Sequence, residues 1–245
     1  MTWSILARDG DGRFGVAIAS RFFAVGALCV HTQRGVGALA TQALMNPLYG
    51  PQGLRWLAEG SKPRDVVTRL TAADAGRSHR QVHMLGAQGD AAAHTGSECI
   101  GWCGHIAGAE FSVAGNMLVG AAVIEASAAA FLNCAGRPLA ERLIAALAAG
   151  EAQGGDKRGK QSAALRIQAE QDYPALDLRV DDHAEPIEEL RRLHAKSLER
   201  FQPFVACLAG RLDPVGLTDR AAIEEAVLRF QVAQRVRAEP EGPPQ

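Results

Sequence analysis

The chain has 245 residues, of which 47% are apolar, and a formal net charge of −1. This length suits one large domain or a domain with an appendage, and the near-neutral charge argues against binding of nucleic acid or membrane surfaces through charge. No basic region followed by an apolar stretch opens the chain, so no signal peptide is predicted, and no apolar run approaches the roughly 20 residues of a membrane span. The five cysteines, an odd number without an export signal, favour free thiols and a cytoplasmic protein.

The first predicted elements are two short strands, residues 3–8 (WSILAR) and 14–20 (FGVAIAS), joined by Asp9 to Gly12. The Asp-Gly pairs of this joint are typical of a hairpin, because positive φ costs little there. The two far ends of an antiparallel hairpin lie side by side. We therefore expect Ser20 and Arg21 to lie beside Thr2, with Arg21 able to reach the N-terminus.

The rest of the chain predicts groups of strands and groups of helices. Further strands are predicted at 27–33, 35–41, 80–87, 90–95, 111–114, 162–168 and 176–182, and helices at 50–60, 63–74, 120–133 and 137–149. This grouping favours an α+β fold, with antiparallel sheets and helices outside them, over regular βαβ alternation. Residues 186–238 have a helical pattern with a break at 210–216, and the Pro/Gly-rich residues 239–245 are predicted to be disordered.

Two glycine-rich stretches match nucleotide-binding motifs only in their letters. The spacing of Gly10, Gly12 and Gly15 is that of a dinucleotide fingerprint, but a strand follows where the fingerprint needs a helix. Residues 154–161 (GGDKRGKQ) approach a phosphate-binding loop, but Gln161 stands where a Ser or Thr must bind magnesium, and a helix precedes the loop. Neither motif supports nucleotide binding, and no cofactor is predicted.

Thr2 is a candidate nucleophile. Met1 precedes a small residue, so its removal would leave threonine at the N-terminus. An N-terminal threonine combines a hydroxyl that attacks with an α-amine that takes the proton. That amine titrates at about pH 8, so a useful fraction is neutral at physiological pH. The alternative is that Thr2 only begins a β-strand.

A zinc site is a minor alternative. His94, Cys99, Cys103 and His105 are close in sequence and include the residue types that bind zinc. Their spacing is not a familiar zinc-binding one, and buried thiols with ordinary loop histidines are the commoner meaning of such a cluster. The sequence therefore predicts no metal.

Seven motifs link the chain to a known family. They are MTWSILARD, GVAIASRFFAVGA, RGVGALATQALMNPLYGPQGL, AAHTG, FSVAGNML, GGDKRGKQSAAL and DLRVDDH. In this order they resemble a bacterial family catalogued as domain of unknown function 1028, which is placed among the N-terminal-nucleophile (Ntn) hydrolase-like folds. The resemblance implies a four-layer αββα sandwich of two antiparallel sheets over residues 1–183, with Thr2 at the mouth between the sheets and a helical extension over 184–238.

By the same resemblance, Thr2 would be the nucleophile of an enzyme that cleaves amides. Proteasome-like members of the fold group place an aspartate and a lysine beside the nucleophile, whereas this chain has Ala-Ser-Arg at 19–21 and no lysine before Lys62. The guanidinium of Arg21 can hold a developing negative charge or orient the substrate, but it hardly deprotonates and cannot act as a base. The α-amine would then have to act alone.

The polar loop 154–161 carries a second group of candidates. Asp156 and Lys157 would supply the missing acid and amine if the fold brings them to Thr2. As a substrate-binding loop it would use Lys157 and Arg158 to bind a carboxylate. The alternative is a solvated loop without a function.

Other polar residues near strand ends complete the candidate site. Asn116 would donate hydrogen bonds to an oxyanion, or take a left-handed turn after Gly115. The remaining candidates for substrate binding are Ser20, Thr41, Gln42, Asn46 and His94. Residues 41–46 lie at a strand-to-helix junction, where polar side chains either cap helices or contact a ligand, and the imidazole of His94 is either a general acid or structural.

Two functions follow from these residues. The first is an Ntn-type hydrolase acting on the C–N bond of a small amide, with a carboxylate-bearing substrate as one option. The second is a non-catalytic small-ligand-binding or assembly protein on the same fold. The expected partner is a small molecule, not nucleic acid or a membrane, and the apolar stripes within 186–238 suit packing inside the chain or a homodimer.

Overall fold

The structure is a computed structural model that describes residues 2–238. It is an α+β fold with two antiparallel sheets. The strands are β1 (Thr2–Arg8), β2 (Phe14–Ser20), β3 (Val30–Gln33), β4 (Gly37–Ala43), β5 (Arg80–Gly86), β6 (Ala91–Thr95), β7 (Trp102–Gly108), β8 (Phe111–Leu118), β9 (Ser162–Gln168) and β10 (Leu176–Val180). The eight helices of the described range are α1 (Gly26–Cys29), α2 (Tyr49–Ala58), α3 (Pro63–Ala72), α4 (Ala122–Asn133), α5 (Leu139–Ala152), α6 (Pro186–Glu199), α7 (Phe201–Val205) and α8 (Arg220–Ala238).

Strand β1 lies in the middle of the larger sheet. That sheet has six strands in the order β10-β9-β2-β1-β8-β7, and the other has four in the order β3-β4-β5-β6. Both neighbours of β1 are antiparallel to it, and the register places Thr2 opposite Ser20 on β2 and opposite Asn116 on β8. Directly opposed residues have Cβ atoms about 5 Å apart. The pairing therefore gathers three polar side chains at one end of the sheet.

The two sheets contact each other, and each has helices packed against it. Strand β1 contacts β4 and β5, while α4 and α5 contact the six-stranded sheet and α2 and α3 contact the four-stranded one. Alternation along β4 shows the two sides of its sheet: Ala38 and Ala40 pack with Leu6 in one apolar cluster, whereas Leu39 packs with Leu70 of α3 in another. Each fully buried leucine contributes about 1.5–3 kcal/mol. Both faces of this sheet are therefore stabilised by apolar packing.

The predicted hairpin is confirmed, and its turn explains the glycine motif. Strands β1 and β2 pair from Thr2 and Ser20 to Arg8 and Phe14. In the turn, Gly12 has φ +80°, and the Asp9 carboxylate accepts the backbone N–H of Arg13 at 3.0 Å. The glycines of this stretch serve a tight turn between strands.

One strand prediction, 27–33, was wrong at its start, and one strand was missed. Residues 26–29 form the short helix α1 instead of the start of a strand, and β3 begins only at Val30. Gly26 packs so closely on β9 that a Cβ there would lie 2.3 Å from the Ala164 Cβ, a tertiary contact that local pattern does not reveal. Strand β7 was missed, because its half-exposed residues include two glycines and lack a regular apolar alternation.

The chain divides into two compact units between Arg191 and Arg192, within α6. The sequence placed a boundary after residue 183, just before this helix. In the second unit, Arg200 pairs with Glu224 of α8, and the Gln231 side chain donates to the Glu199 carbonyl at 2.6 Å. The predicted disordered tail, 239–245, lies outside the described residues.

Candidate functional site

Thr2 lies where the two sheets face each other. Its Oγ1 is 3.1 Å from the Oγ of Ser20, and its backbone carbonyl accepts the side-chain amides of Gln42 and Asn116, each at 3.4 Å. Ser20 and Gln42 are fully buried, and Thr2 is 6% exposed. The Thr2 hydroxyl is therefore held by a hydroxyl neighbour at the head of the central strand.

Gln81 is the centre of a buried polar network that joins the sheets. Its Oε1 accepts Gln42 Nε2 at 2.8 Å and Asn116 Nδ2 at 3.0 Å. Its Nε2 donates to Thr95 Oγ1 at 2.9 Å and to the Gly115 carbonyl at 2.9 Å. Because each partner fixes the direction of the Gln81 amide, this side chain orients both residues that hold the Thr2 carbonyl.

His83 extends the network deeper between the sheets. Ser4 Oγ donates to Gln42 Oε1 at 2.7 Å and lies 2.8 Å from His83 Nε2, and His83 Nδ1 lies 3.0 Å from Ser112 Oγ. The single Ser4 proton is used on Gln42, so Ser4 must accept from His83 Nε2–H, and Nδ1 accepts from Ser112. The neutral ring is thus satisfied at both nitrogens. Burial, with a smaller contribution from the charge of His105, lowers the pKa of His83 to about 3.

This pKa predicts a loss of stability in acid. The folded-state pKa of about 3 lies below the ordinary value of 6.5, so between these values the unfolded chain binds a proton that folded His83 does not. We expect this one proton to lower the free energy of unfolding by about 1.4 kcal/mol per pH unit as the pH falls through that range. Urea unfolding at about pH 7 and about pH 5 would measure it. A His83→Gln variant should have a shallower dependence, and equal slopes would contradict the assignment.

Asp156 is brought to the site from the distant loop. Its side chain is fully buried and accepts the backbone N–H of Arg21 at 3.1 Å and that of Arg158 at 2.7 Å. The Arg158 guanidinium pairs with the same carboxylate at 3.2 Å. Because Arg21 directly follows Ser20, its hydrogen bond to Asp156 holds the 154–161 loop against the end of β2, beside Thr2.

The basic candidates of this region lie at the surface. The Arg21 guanidinium donates to the Lys160 carbonyl at 3.1 Å, and the Arg158 side chain remains 45% exposed beyond its pair with Asp156. Lys157 is exposed, and its Nζ is 3.9 Å from the position that a Cβ on Gly101 would take. Arg21 and Arg158 thus contact the 154–161 loop next to the end of β2, and Lys157 lies near Gly101.

Three predicted residues have structural contacts. Thr41 Oγ1 accepts the backbone N–H of Asn46 at 3.2 Å, and Asn46 Nδ2 donates to Asp74 at 3.1 Å. Burial would raise the pKa of Asp74, but hydrogen bonds from Tyr49, Asn46, Gly76 and Arg80 outweigh it and hold that pKa well below its ordinary value. His94 Nε2 contacts the Arg77 carbonyl at 3.0 Å. The fold therefore gathers Thr2, Ser20, Gln42 and Asn116 and leaves Asn46 and His94 in other contacts.

The candidate zinc residues have separate partners. His105 Nδ1 lies 2.9 Å from Thr95 Oγ1, and the Cys103 thiol contacts the Cys99 carbonyl at 3.7 Å. Burial raises the pKa of Cys99, which disfavours the thiolate that metal binding needs. Within residues 2–238, no three His, Cys, Asp or Glu side chains are grouped to hold a metal ion. None of the helices in the same range has the length and apolar character for crossing a bilayer.

A cavity of about 250 Å³ lies beside this network. It is lined by Ala43, Leu44, His79, Glu98, Cys99, Ile100, Asn116 and Met117. The Asn116 side chain is 1% exposed, and its NH2 group already donates to Gln81 and to the Thr2 carbonyl. Its Oδ1 has no hydrogen-bond partner among residues 2–238. The cavity is therefore bordered by a residue whose side-chain oxygen is buried and has no partner among residues 2–238.

The fold and site define an α+β protein in which a threonine heads the central strand of a larger sheet that faces a smaller one. The chain belongs to a family of unknown function, DUF1028, whose sequence model matches residues 2–190. Among solved structures it is similar to protein SPO2555 from Silicibacter pomeroyi, also assigned to DUF1028, with 32% identity, a TM-score of 0.83, and 89% of this chain and 96% of that chain covered.

Two other comparisons add no functional information. Anbu (ancestral beta-subunit) from Yersinia bercovieri is similar over 80% of this chain and 94% of that one, with 11% identity and a TM-score of 0.40. That likeness is too low to carry an argument. The search of curated proteins gives no match.

Sequence reasoning missed the residues that build the network. Ser4, Gln81, His83 and Ser112 are all fully buried, although each was treated as part of an ordinary strand. The sequence did contain a pattern that could have revealed them. In the predicted strands, polar residues recur at every second position, Thr2 and Ser4 in one strand and Gln81 and His83 in another. Side chains two apart point to the same face of a sheet, which marks a polar inner face.

Proposed function

We propose that this protein is an N-terminal-nucleophile hydrolase that cleaves the C–N bond of a small amide, with Thr2 as nucleophile after removal of Met1. The observation that carries the proposal is the position of Thr2 at the head of the central strand, with its hydroxyl 3.1 Å from Ser20 Oγ. The four-layer αββα arrangement belongs to the same proposal. The contacts of α4 and α5 with one sheet, of α2 and α3 with the other, and of β1 with β4 support it.

The proposed reaction needs only groups of Thr2 and water. The Thr2 hydroxyl oxygen attacks the amide carbon, and its proton passes to the free α-amine. The C–N bond then breaks as the amine returns the proton to the leaving nitrogen, which leaves an ester on Thr2. Water, deprotonated by the same amine, hydrolyses the ester and releases a carboxylic acid.

Neighbouring residues would position these groups. Ser20 Oγ fixes the direction of the hydroxyl, and Gln42 and Asn116 hold the Thr2 carbonyl. Asp156 orders the strand end next to Ser20 through the Arg21 N–H. The exposed cations Arg21, Lys157 and Arg158 suit a substrate that carries a carboxylate.

A second function, non-catalytic binding of a small ligand, is favoured by one observation. Thr2 is only 6% exposed in the chain that retains Met1, and the cavity wall contains Asn116 but not Thr2. On this alternative the polar network shapes a binding site and Thr2 is a strand residue.

The state of the N-terminus separates the two functions. We expect intact-mass and N-terminal peptide analysis of purified protein to show a chain that begins at Thr2. A β-lactone, which acylates nucleophilic hydroxyls, should then add one acyl group on Thr2 of the folded protein and none after heat denaturation. Retained Met1, or equal labelling of other hydroxyls, would contradict the hydrolase.

A further inference from the structure

The cavity beside Asn116 has the features of a built ligand site. Its wall combines the end of β4, the end of β8 and the segment between β6 and β7. Most of the wall is apolar, with Leu44, Ile100 and Met117 among its residues. An engineered cavity of about 150 Å³ in another protein holds benzene. A volume of about 250 Å³ therefore has room for a short aliphatic ligand.

The orientation of the Asn116 amide is chemically determined. Gln81 Nε2 donates to three oxygens, those of Thr95, Gly104 and Gly115, so Gln81 Oε1 must face Asn116. The Thr2 carbonyl is the second neighbour of the Asn116 NH2 group, and it too can only accept. Reversal of the amide would place Asn116 Oδ1 against two acceptors. Oδ1 therefore points away from both, as a buried acceptor that requires a donor.

Backbone strain supports the same site from both sheets. Ala43, the last residue of β4, has φ +67°, and Met117, near the end of β8, has φ +54°. A non-glycine residue in the left-handed region costs of order 1–3 kcal/mol and persists where surrounding structure requires it. Both strained residues line the cavity. Strained backbone at two strand ends on one cavity wall is expected if the shape of that wall is needed to bind a ligand.

We propose that this cavity binds a short aliphatic group that carries an N–H donor, an amine or a secondary amide, through a hydrogen bond to Asn116 Oδ1. An unpaired buried acceptor costs about 1–3 kcal/mol, which such a donor would recover. A carboxylate offers no donor at neutral pH, and Glu98 on the cavity wall would repel it. This inference deepens the proposed function, since the ligand would be the amine side of the amide that Thr2 cleaves.

The test measures binding without turnover. Full-length Thr2→Ala protein would be titrated by calorimetry and ligand-observed NMR with n-butylamine, N-propylacetamide and pentanoate. We expect saturable 1:1 binding of the amine, the amide or both, at least about tenfold tighter than pentanoate, since one good hydrogen bond in a buried site is worth about 1.4 kcal/mol or more. If only the amine binds, Glu98→Gln should lower its affinity, because the carboxylate of Glu98 attracts a positive charge. That result would identify the ammonium form as the ligand.

Matched variants at the cavity rim locate the binding. Ile100 is 69% exposed, so its replacement should leave the fold intact. Ile100→Trp should fill the entrance and weaken binding at least about tenfold, whereas Ile100→Ala should change it by less than about threefold. Absence of binding, equal binding of pentanoate, or an unchanged affinity in Ile100→Trp would overturn the inference. Binding without acylation of Thr2 would refute the hydrolase alone, and acylation without binding would refute this site alone.

Discussion

Replacement of Thr2 by alanine is expected to abolish amide hydrolysis, with turnover at least about a thousandfold lower than in the parent protein. The variant keeps a strand-compatible side chain but loses the attacking oxygen, and removal of a nucleophile in other hydrolases costs about a millionfold in kcat. The measurement is amine release from a panel of N-alkyl amides with short alkyl groups. Residual rates reflect only binding and polarisation of the amide.

The controls for Thr2 separate chemistry from folding. Thr2→Ser replaces the secondary hydroxyl by a primary one and should keep measurable turnover, and Thr68→Ala, an exposed change on α3, should leave turnover unaltered. Thr68→Ala should unfold within about 0.5 kcal/mol of the parent, whereas Thr2→Ala, which removes a buried contact with Ser20, should lose about 1–3 kcal/mol and still fold. Full turnover in Thr2→Ala, with its fold intact, would exclude Thr2 as the nucleophile and leave ligand binding as the function.

Replacement of Gln81 by leucine is expected to cost about 3–5 kcal/mol in the free energy of unfolding. The change removes one hydrogen bond from each of several buried partners of Gln81, among them the amides of Gln42 and Asn116, which keep only their long bonds to the Thr2 carbonyl, and each buried group left short of a partner costs about 1–3 kcal/mol. Those amides hold the Thr2 carbonyl, so hydrolysis and cavity binding should fall with stability. Urea unfolding at neutral pH measures the first effect.

A glutamine on the same sheet serves as the matched control. Gln33 ends β3 and is exposed, so Gln33→Leu should change stability by less than about 0.5 kcal/mol. Similar stability losses in the two variants would mean that the Gln81 network contributes no more than an ordinary surface residue. Cavity binding of n-butylamine that survives Gln81→Leu unchanged would mean that Asn116 is oriented by other contacts.

Much of the architecture could be predicted from local pattern. Asp9 and Gly12 mark the first hairpin, apolar spacing of three and four marks α3, and the motifs along residues 1–183 place the chain in its family. Strand β7 was not predicted because it lies at the edge of its sheet with half-exposed side chains. Such a strand does not need the regular apolar alternation by which a buried strand is recognised. The start of α1 depends on how Gly26 meets Ala164, a contact between residues far apart in the chain.

The candidate site was predictable only in part. Thr2 stood out as a possible N-terminal nucleophile, Ser20 as the end of its partner strand, and Asn116 because it was expected to follow a strand, although it lies within β8. The register of β1 with β2 and β8 brings the three together. For Asn116 the sequence suggested a hydrogen-bond donor, but its NH2 group is already used by Gln81 and Thr2, and the atom without a partner among residues 2–238 is the acceptor Oδ1. Which end of an amide is available depends on its neighbours, and these come from other strands.

The family, the helices and strands, and most of the polar residues near strand ends could be recognised from the amino-acid sequence, because these depend on short-range spacing and residue type. Three features depend on contacts between distant parts of the chain: Asp156 reaches the end of β2, Gln81 links the two sheets, and Asn116 Oδ1, without a partner among residues 2–238, lies in a residue that borders a cavity. A buried polar group needs a hydrogen-bond partner, and that partner can come from any part of the chain that the fold brings close. Gln42 and Asn116 lie 39 and 35 residues from Gln81, and Arg21 lies 135 residues from Asp156.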